Sequence, residues 1–201
     1  SGGTCAAGGS GESSSVPMSR MVKMTTIVSG VLTIRRAVPE DAAALAELAY
    51  RSFVDAFGEG SDPHDLALHT ARTFGRAQQA AEIAHPRIAT LVAQADDGRL
   101  AAYVQLRRDE VPACVPDRQA ASVARFYVDR AWHGRGLARR LMDAALDEVR
   151  AMGARSVWLG VWEQNHRAIA FYTKYGYRDV GSHTYLFGTD PQTDRVMMVE
   201  V

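Results

Sequence analysis

The sequence predicts one α/β layered domain, a mixed sheet with helices packed on it. Three observations predict this class. Strand-like and helix-like stretches follow in the order β-α-α-β-β-β-α-β-α-β-β, which points to a single mixed layer structure. The 201 residues are enough for one domain with a substantial core. Apolar residues make up 47% of them, within the ordinary globular range, so most of the chain can fold.

Taken in order, residues 1–29 are the exception. They are rich in Ser and Gly, lack periodicity, and bury too little to offset chain entropy, so a flexible extension is expected, with the domain running from 30 to 201. Met18, Met21 and Met24 are candidate natural starts. Val31–Val38 alternates like a half-buried strand. Pro39 then opens a helix with Glu40 and Asp41 in its first turn, where the helix dipole favours them. Ala42, Leu45, Leu48, Ala49, Ser52 and Phe53 form its inward stripe, and Gly58 ends it. "GEGSDPH" reads as a loop, and a weaker helical stretch from Asp65 to about Ala84 breaks near Gly75.

"RIATLVAQA" and "RLAAYVQLRR" flank Asp96-Asp97-Gly98, a hairpin signal. "DEVPACVPDRQ" carries two prolines and reads as an irregular loop, and "ASVARFYV" as another strand. From Gly136, apolar residues at Leu137, Leu141, Met142, Ala145, Leu146 and Val149 repeat at helical spacing until Gly153. "SVWLGVW" reads as a buried strand, and Asn165 caps a short helix ending at Gly176. "YRDVGSHTYLF" and "DRVMMVEV" finish the chain as paired strands.

Composition excludes several classes. Lys plus Arg equals Asp plus Glu at 23 each, which argues against a general nucleic-acid binder, although a basic patch survives at Arg135, Arg139 and Arg140. The two cysteines, Cys5 and Cys114, sit in no CxxC or Cys/His cluster, so neither a disulfide framework nor a metal site is expected. No run approaches a membrane span, and the N-terminus lacks the apolar core of a signal peptide. A cytoplasmic protein is expected.

"AWHGRGLARRL" (Ala131–Leu141) is the segment with chemical content. A helix start exposes unpaired amides at the positive end of the helix dipole, and a phosphate reaches them only where side chains do not obstruct. Gly134, Gly136 and Ala138 alternate with Arg135 and Leu137 as that requires. The competing reading is that the glycines merely let the backbone turn. Two phosphate motifs fail. No Gly-Lys-Ser/Thr ending is present, and Arg139 stands where the dinucleotide fingerprint needs its third glycine.

The segment resembles the acyl-CoA loop of the GNAT N-acetyltransferases, Gln/Arg-x-x-Gly-x-Gly/Ala between a strand and a long helix. His133-Gly134-Arg135-Gly136-Leu137-Ala138 matches all but the first position. Downstream, "WLGVWEQNHRAIAFYTKYGYRDVG" resembles the family's Asn-x-x-Ala helix and its Tyr-x-x-x-Gly-Phe/Tyr ending, with Asn165, Ala168, Tyr172, Gly176 and Tyr177 in those places. The resemblance covers roughly residues 31 to 201. The C-terminal "GSHTYLFGTDPQTDRVMM" looks more narrowly like the branch containing bacterial spermidine/spermine N-acetyltransferases.

This resemblance implies a mixed, mainly antiparallel sheet flanked by helices, with splayed central strands that bind acyl-CoA. It implies acetyl-CoA as cosubstrate and a small amine, a polyamine among the candidates, as acceptor; a homodimer is compatible with it. Amides from His133 through Ala138 would hold the CoA pyrophosphate, with charge from Arg135, Arg139 or Arg140. Backbone of Phe126, Tyr127 and Val128 would pair with the pantetheine arm, and the Val128 amide would polarise the thioester carbonyl. Tyr172 matches a tyrosine near the sulfur, where a protonated phenol can donate to a leaving thiolate. Asn165 is an N-cap first, with a pantetheine contact added to that role, beside Ala168.

The family often carries a glutamate where Ser122 and Ala124 stand, and neither of these is a strong base. Water leading to Glu59, Asp62 or His64, or capture of amine that is already neutral, remain as routes. Acceptor recognition is expected from Phe53–His69, the Asp109–Asp117 loop, and strand ends near Tyr103 and Tyr185. The acidic residues Asp55, Glu59, Asp62 and Asp65 would suit a polycation. Two other outcomes stay open: acetylation of protein N-termini or lysines, and a non-catalytic acyl-CoA sensor.

Overall fold

The computed structural model describes residues 32–58, 62–187 and 190–201, so the expected N-terminal extension, Val31 and Glu59 lie outside the described residues. The strands are β1 (Leu32–Arg36), β2 (Ile88–Ala95), β3 (Leu100–Arg107), β4 (Ala121–Val128), β5 (Ser156–Trp162), β6 (Arg178–Phe187) and β7 (Asp190–Glu200). The helices are α1 (Ala42–Phe57), α2 (Pro63–Thr73), α3 (Arg76–Ala84), α4 (Leu137–Ala151) and α5 (His166–Lys174). All seven strands join one sheet in the order β1-β2-β3-β4-β5-β7-β6. Every neighbouring pair is antiparallel except β4 and β5. This is the mixed, mainly antiparallel sheet that the family resemblance implies.

Apolar periodicity decides which helix covers which face. In α4, Leu137, Leu141, Met142, Ala145 and Val149 are buried, on one stripe, while Leu146 at its edge is half-buried. That stripe and part of α5 pack on Leu91, Ala93, Val104, Leu106, Val157, Leu159 and Met197. Leu45, Leu48, Ala49 and Phe53 of α1 cover the opposite face at Val92, Leu100 and Tyr103. The two-proline loop seals the rest of that second face, where Val111, Val115 and Ala120 pack on Val196 and Met198. Central strands buried on both sides need continuous apolar runs, and β3 is buried from Leu100 to Leu106.

Turn chemistry places the ends. Gly98 closes the β2–β3 hairpin at φ 83°, with its amide on the Ala95 carbonyl at 2.8 Å. The weak helical stretch does break at Gly75, which becomes the N-cap of α3. Its first half starts two residues earlier than expected. The Asp62 carboxylate accepts from the amides of His64 and Asp65, and Pro63 occupies the first turn, where no amide is needed. The last strand also begins earlier, at Asp190. Pro191 is tolerated there because β5 has ended at the Trp162–Asp194 pair, leaving that edge of β7 without a ladder to break.

Candidate active site

β4 and β5 pair at only two positions, Ala121 with Val157 and Ser122 with Trp158. Beyond them the strands part. On the other edge of β4, Gln105 pairs with Arg125 and Leu106 with Val123, so Ala124 is the extra residue of a bulge. A bulge bends its strand, and this one lies where β4 leaves β5. The resulting cleft, of about 800 Å³, passes between the strands from the start of α4 to the α1 face.

Backbone alternation supplies its donors. The Asp129 amide bonds to Ala101 on β3 at 2.8 Å. Alternate residues of an antiparallel strand point their amides to opposite edges, so those of Val128 and Phe126 face the cleft. The side chains of Phe126 and Val128 pack into the α4–α5 core as ordinary apolar residues. Tyr127 points the other way, its ring stacked on Tyr103 with centroids 5.7 Å apart. Of the three β4 residues expected at the pantetheine, Tyr127 therefore belongs to the α1 side of the cleft.

The glycine turn follows. Asp129 caps a short 3-10 turn by accepting from the Ala131 amide at 2.9 Å. His133 Nε2 lies 2.8 Å from the Val128 carbonyl, so its ring ties the turn to the end of β4 instead of reaching outward. Gly134 and Gly136 have φ of 74° and 76°, left-handed values that explain both glycines without any ligand. A second fact bears on the ligand reading: a Cβ at either position would meet no atom within 4 Å. The front of the turn is open. Gly136 gives α4 no side-chain cap, and the first helical bond runs from Arg140 to the Gly136 carbonyl, leaving the amides of Leu137, Ala138 and Arg139 without intrahelical acceptors. An open, uncapped helix start fits a diphosphate.

The arginines divide. Arg135 lies over the Trp132 ring, 5.5 Å from its centroid, beside the turn. Arg139 is exposed on the first turn of α4. Arg140, expected among the phosphate ligands, instead donates to the Leu32 carbonyl at 2.8 Å and is held away on β1. Arg130 and Arg167, which sequence reasoning did not single out, line the cleft. All of the other expected cofactor residues line it too, apart from Arg135 and Arg139.

On α5, Asn165 accepts from the Ala168 amide at 3.1 Å, the expected cap. Tyr172 reaches the cleft with 9% of its surface exposed, edge-on to Phe126. Burial pushes its phenol well above the ordinary tyrosine value, so the hydroxyl keeps its proton.

The α1 side of the cleft holds what local sequence could not show. Asp194 of β7 lines it and faces His183 at 3.9 Å. Burial raises the Asp194 carboxyl above the usual carboxylate range, against the smaller opposing pull of His183. Both lean over Gly160 of β5, where a Cβ would stand 3.0 Å from Asp194 Oδ2 and 3.2 Å from His183 Nε2. A glycine inside a strand was the one available signal, because it often marks such a close approach.

Several expectations about the acceptor side change. Tyr185 lines the cleft, and Tyr103 lies buried beneath Tyr127. Phe53 lines it and stacks on His69 at 4.6 Å. The Asp109–Asp117 loop does not line it; its apolar residues seal the sheet farther along. Asp62 is a helix cap and Asp65 is buried, so among the described members of the acidic set only Asp55 lines the cleft. Ser122 donates to Asp109 at 3.0 Å, and Cys114 packs against Gly181 and does not line the cleft.

A sequence model described as the acetyltransferase (GNAT) family matches residues 44–177. An N-acetyltransferase of Mycobacterium bovis, described as uncharacterized, is 33% identical over 161 residues, which cover 80% of this chain and 98% of the relative. Another, from Lactobacillus delbrueckii subsp. lactis and also described as uncharacterized, is 30% identical over 73% of this chain and 84% of its own length. Among solved structures, PaiA N-acetyltransferase from Thermoplasma acidophilum in complex with coenzyme A superposes with TM-score 0.69 at 19% identity, covering 85% of this chain and 99% of that one. The splayed sheet and open helix start are thus accompanied by sequence kinship, and the chain belongs to the GNAT acetyltransferase family. It is an acetyltransferase, and acetyl-CoA fits its cleft as cosubstrate.

Proposed function

We propose that the protein acetylates a primary amine of a small molecule by direct attack on acetyl-CoA. One observation carries this reading: a single cleft joins the open start of α4, the β4 edge, the Tyr172 phenol and the Asp194 carboxyl. When bound, the thioester supplies the acyl carbon: the amine nitrogen bonds to it, the C–S bond breaks, and CoA leaves as a thiolate that needs a proton.

Each requirement meets a residue of this chain. The amides of Leu137, Ala138 and Arg139, with Arg135 beside them, hold the diphosphate. The Val128 amide hydrogen-bonds to the oxygen that gains charge in the tetrahedral intermediate. Tyr172 remains protonated and donates to the departing sulfur. Asp194, on the acceptor's side, attracts the ammonium and takes its proton, directly or through water. Two carboxylates, Asp55 and Asp194, line the cleft and suit a cationic amine, a polyamine among the candidates.

The test mixes protein and acetyl-CoA with small amines, polyamines and peptides, following thiol release and product mass. Acetylation of a small amine is expected. Transfer confined to peptides would replace this reading with protein acetylation. Acetyl-CoA binding by calorimetry with no transfer to any amine would replace it with the sensor.

A further inference from the structure

Beside the cleft, on the α1 side, opens a pocket of about 290 Å³ walled by Phe53, His69, Phe74, Tyr127 and Tyr185, with Arg107 and Arg125 lining it. Phe53, Ala124, Arg125, Tyr127 and Tyr185 line both spaces, so one small molecule can occupy the two together.

The two arginines meet at Glu82 of α3. Arg125 grips that carboxylate through both Nη atoms, at 2.6 and 3.1 Å, and Arg107 Nη2 donates to it at 2.8 Å. Gln105 and Gln78 donate to the same group at 3.0 and 2.9 Å, so its oxygens already take five hydrogen bonds. Two guanidinium groups share one anion, which leaves the cluster with one positive charge in excess. Arg107 keeps 27% of its side-chain surface exposed and Arg125 12%. A cluster serving only to pin α3 onto the sheet would need one arginine for one carboxylate. The second guanidinium, that of Arg107, is mostly withdrawn from water and is held by Gln105 Oε1 as well as Glu82, yet has no carboxylate of its own, so an added anion would offset its charge.

Nearby groups do not cancel the excess. Burial first, and then the charge of Arg125, hold the His69 imidazole below its ordinary value, so it adds no charge at neutral pH. The Tyr103 hydroxyl is buried with no hydrogen-bond partner among the described residues, within electrostatic reach of Arg125 and Glu82. The Tyr185 phenol is within electrostatic reach of both Asp194 and Arg125, and Tyr185 lines both spaces.

We infer that this pocket holds a carboxylate carried by the acceptor, whose amine lies toward Asp194, making the acceptor a small amino acid with an apolar or aromatic body. Arg107 spends Nε and Nη2 on Gln105 Oε1, at 2.9 and 2.6 Å, and on Glu82, which leaves its Nη1 as donor to a carboxylate, and one excess positive charge matches one negative charge. Aromatic walls suit the apolar or aromatic body of such an acceptor. A polyamine would bring its second cation against two guanidinium groups. The inference rests on the acetyl-transfer reading above and names its substrate class.

The experiment compares phenylalanine, phenylalaninamide and phenethylamine, then the same trio built on lysine (lysine, lysinamide, cadaverine), with spermidine alongside. Turnover is measured with acetyl-CoA, and binding to the CoA-saturated protein by calorimetry. The free acid of one trio is expected to exceed its amide and its decarboxylated amine by about tenfold or more in kcat/KM, mostly through KM. Arg107→Gln should collapse that ratio toward one, and Arg107→Lys, which keeps the charge without the guanidinium's full set of donors, should leave it in between. Thermal melts of both variants show whether the fold survives; the wild-type comparison stands without them. Transfer that ignores the carboxylate, or that favours spermidine, overturns the inference and leaves the function standing. Carboxylate-dependent binding without transfer does the reverse. Neither binding nor transfer overturns both.

Discussion

Asp194 joins a raised proton affinity to a position at the far mouth of the cleft, and its sign can be worked through. The native carboxyl holds its proton to higher pH than it does in the unfolded chain, where about 3.9 is usual. As a base it works only when ionised, so turnover should fall as pH drops through a value above the ordinary carboxylate range. Asp194→Asn is expected to lose that acidic limb and about 10- to 100-fold in kcat at neutral pH, read from kcat profiles of both proteins. Stability moves oppositely. Between the unfolded and folded values the native state binds more protons, so wild-type stability declines as pH rises through that interval. The asparagine variant has no such decline, and its melting temperature should gain on wild type from acid toward neutral pH. Equal gaps at both ends would remove the burial argument. Tyr172 is simpler. In the proposed reaction its protonated phenol acts only at the sulfur, so Tyr172→Phe should lower kcat by about 100-fold while acetyl-CoA affinity in calorimetry stays within about twofold. Unchanged turnover would strip it of the acid role.

At the level of elements, the junction from β4 to α4 separates a backbone cause from a ligand cause. Gly136 sits at φ 76° with open space before it. Any side chain there strains the turn by about 1–2 kcal/mol. Only a bulky anionic one also confronts the diphosphate. Gly136→Ala and Gly136→Glu should therefore melt at similar temperatures, yet the glutamate variant should bind CoA about tenfold or more weakly than the alanine variant. Equal affinities would leave the glycines as turn-makers alone. The α4 helix was legible in the sequence because its stripe from Leu137 to Val149 repeats locally, and Asn165 was legible as a cap for the same reason. Asp62 was less so, since Pro63 hid the start of α2 inside a loop-like string. Glu82, Arg107 and Arg125 were not legible as a group. Glu82 lies 43 residues from Arg125 and 25 from Arg107, and only the packing of α3 on the sheet joins them. Asp194 and Gly160 meet by strand pairing, which no local pattern reports.

Across the whole molecule, the sheet is two antiparallel halves, β1 to β4 and β5 to β6, joined by two residue pairs at the β4–β5 seam. Below the seam the strands hold each other; above it, α4 and α5 bridge the halves through the shared core. A ligand that pairs with the free β4 edge acts as the missing strand contact. Binding to the native state alone stabilises by RT ln(1 + [L]/Kd), about 2.7 kcal/mol at a hundredfold excess over Kd. For a domain of this size that corresponds to a rise in melting temperature of about 5–10 °C. Such a shift would follow from binding anywhere, so its location has to be read separately. Hydrogen exchange can do this. Without ligand, the Asp129 amide is already protected by its bond to Ala101, whereas those of Val128 and Phe126 face the cleft. Acetyl-CoA should slow exchange at Val128 and Phe126 and at Leu137, Ala138 and Arg139, with little change at Asp129. A melting shift accompanied by protection elsewhere, and by none at these five amides, would place the coenzyme outside the cleft and remove the basis of the proposed chemistry.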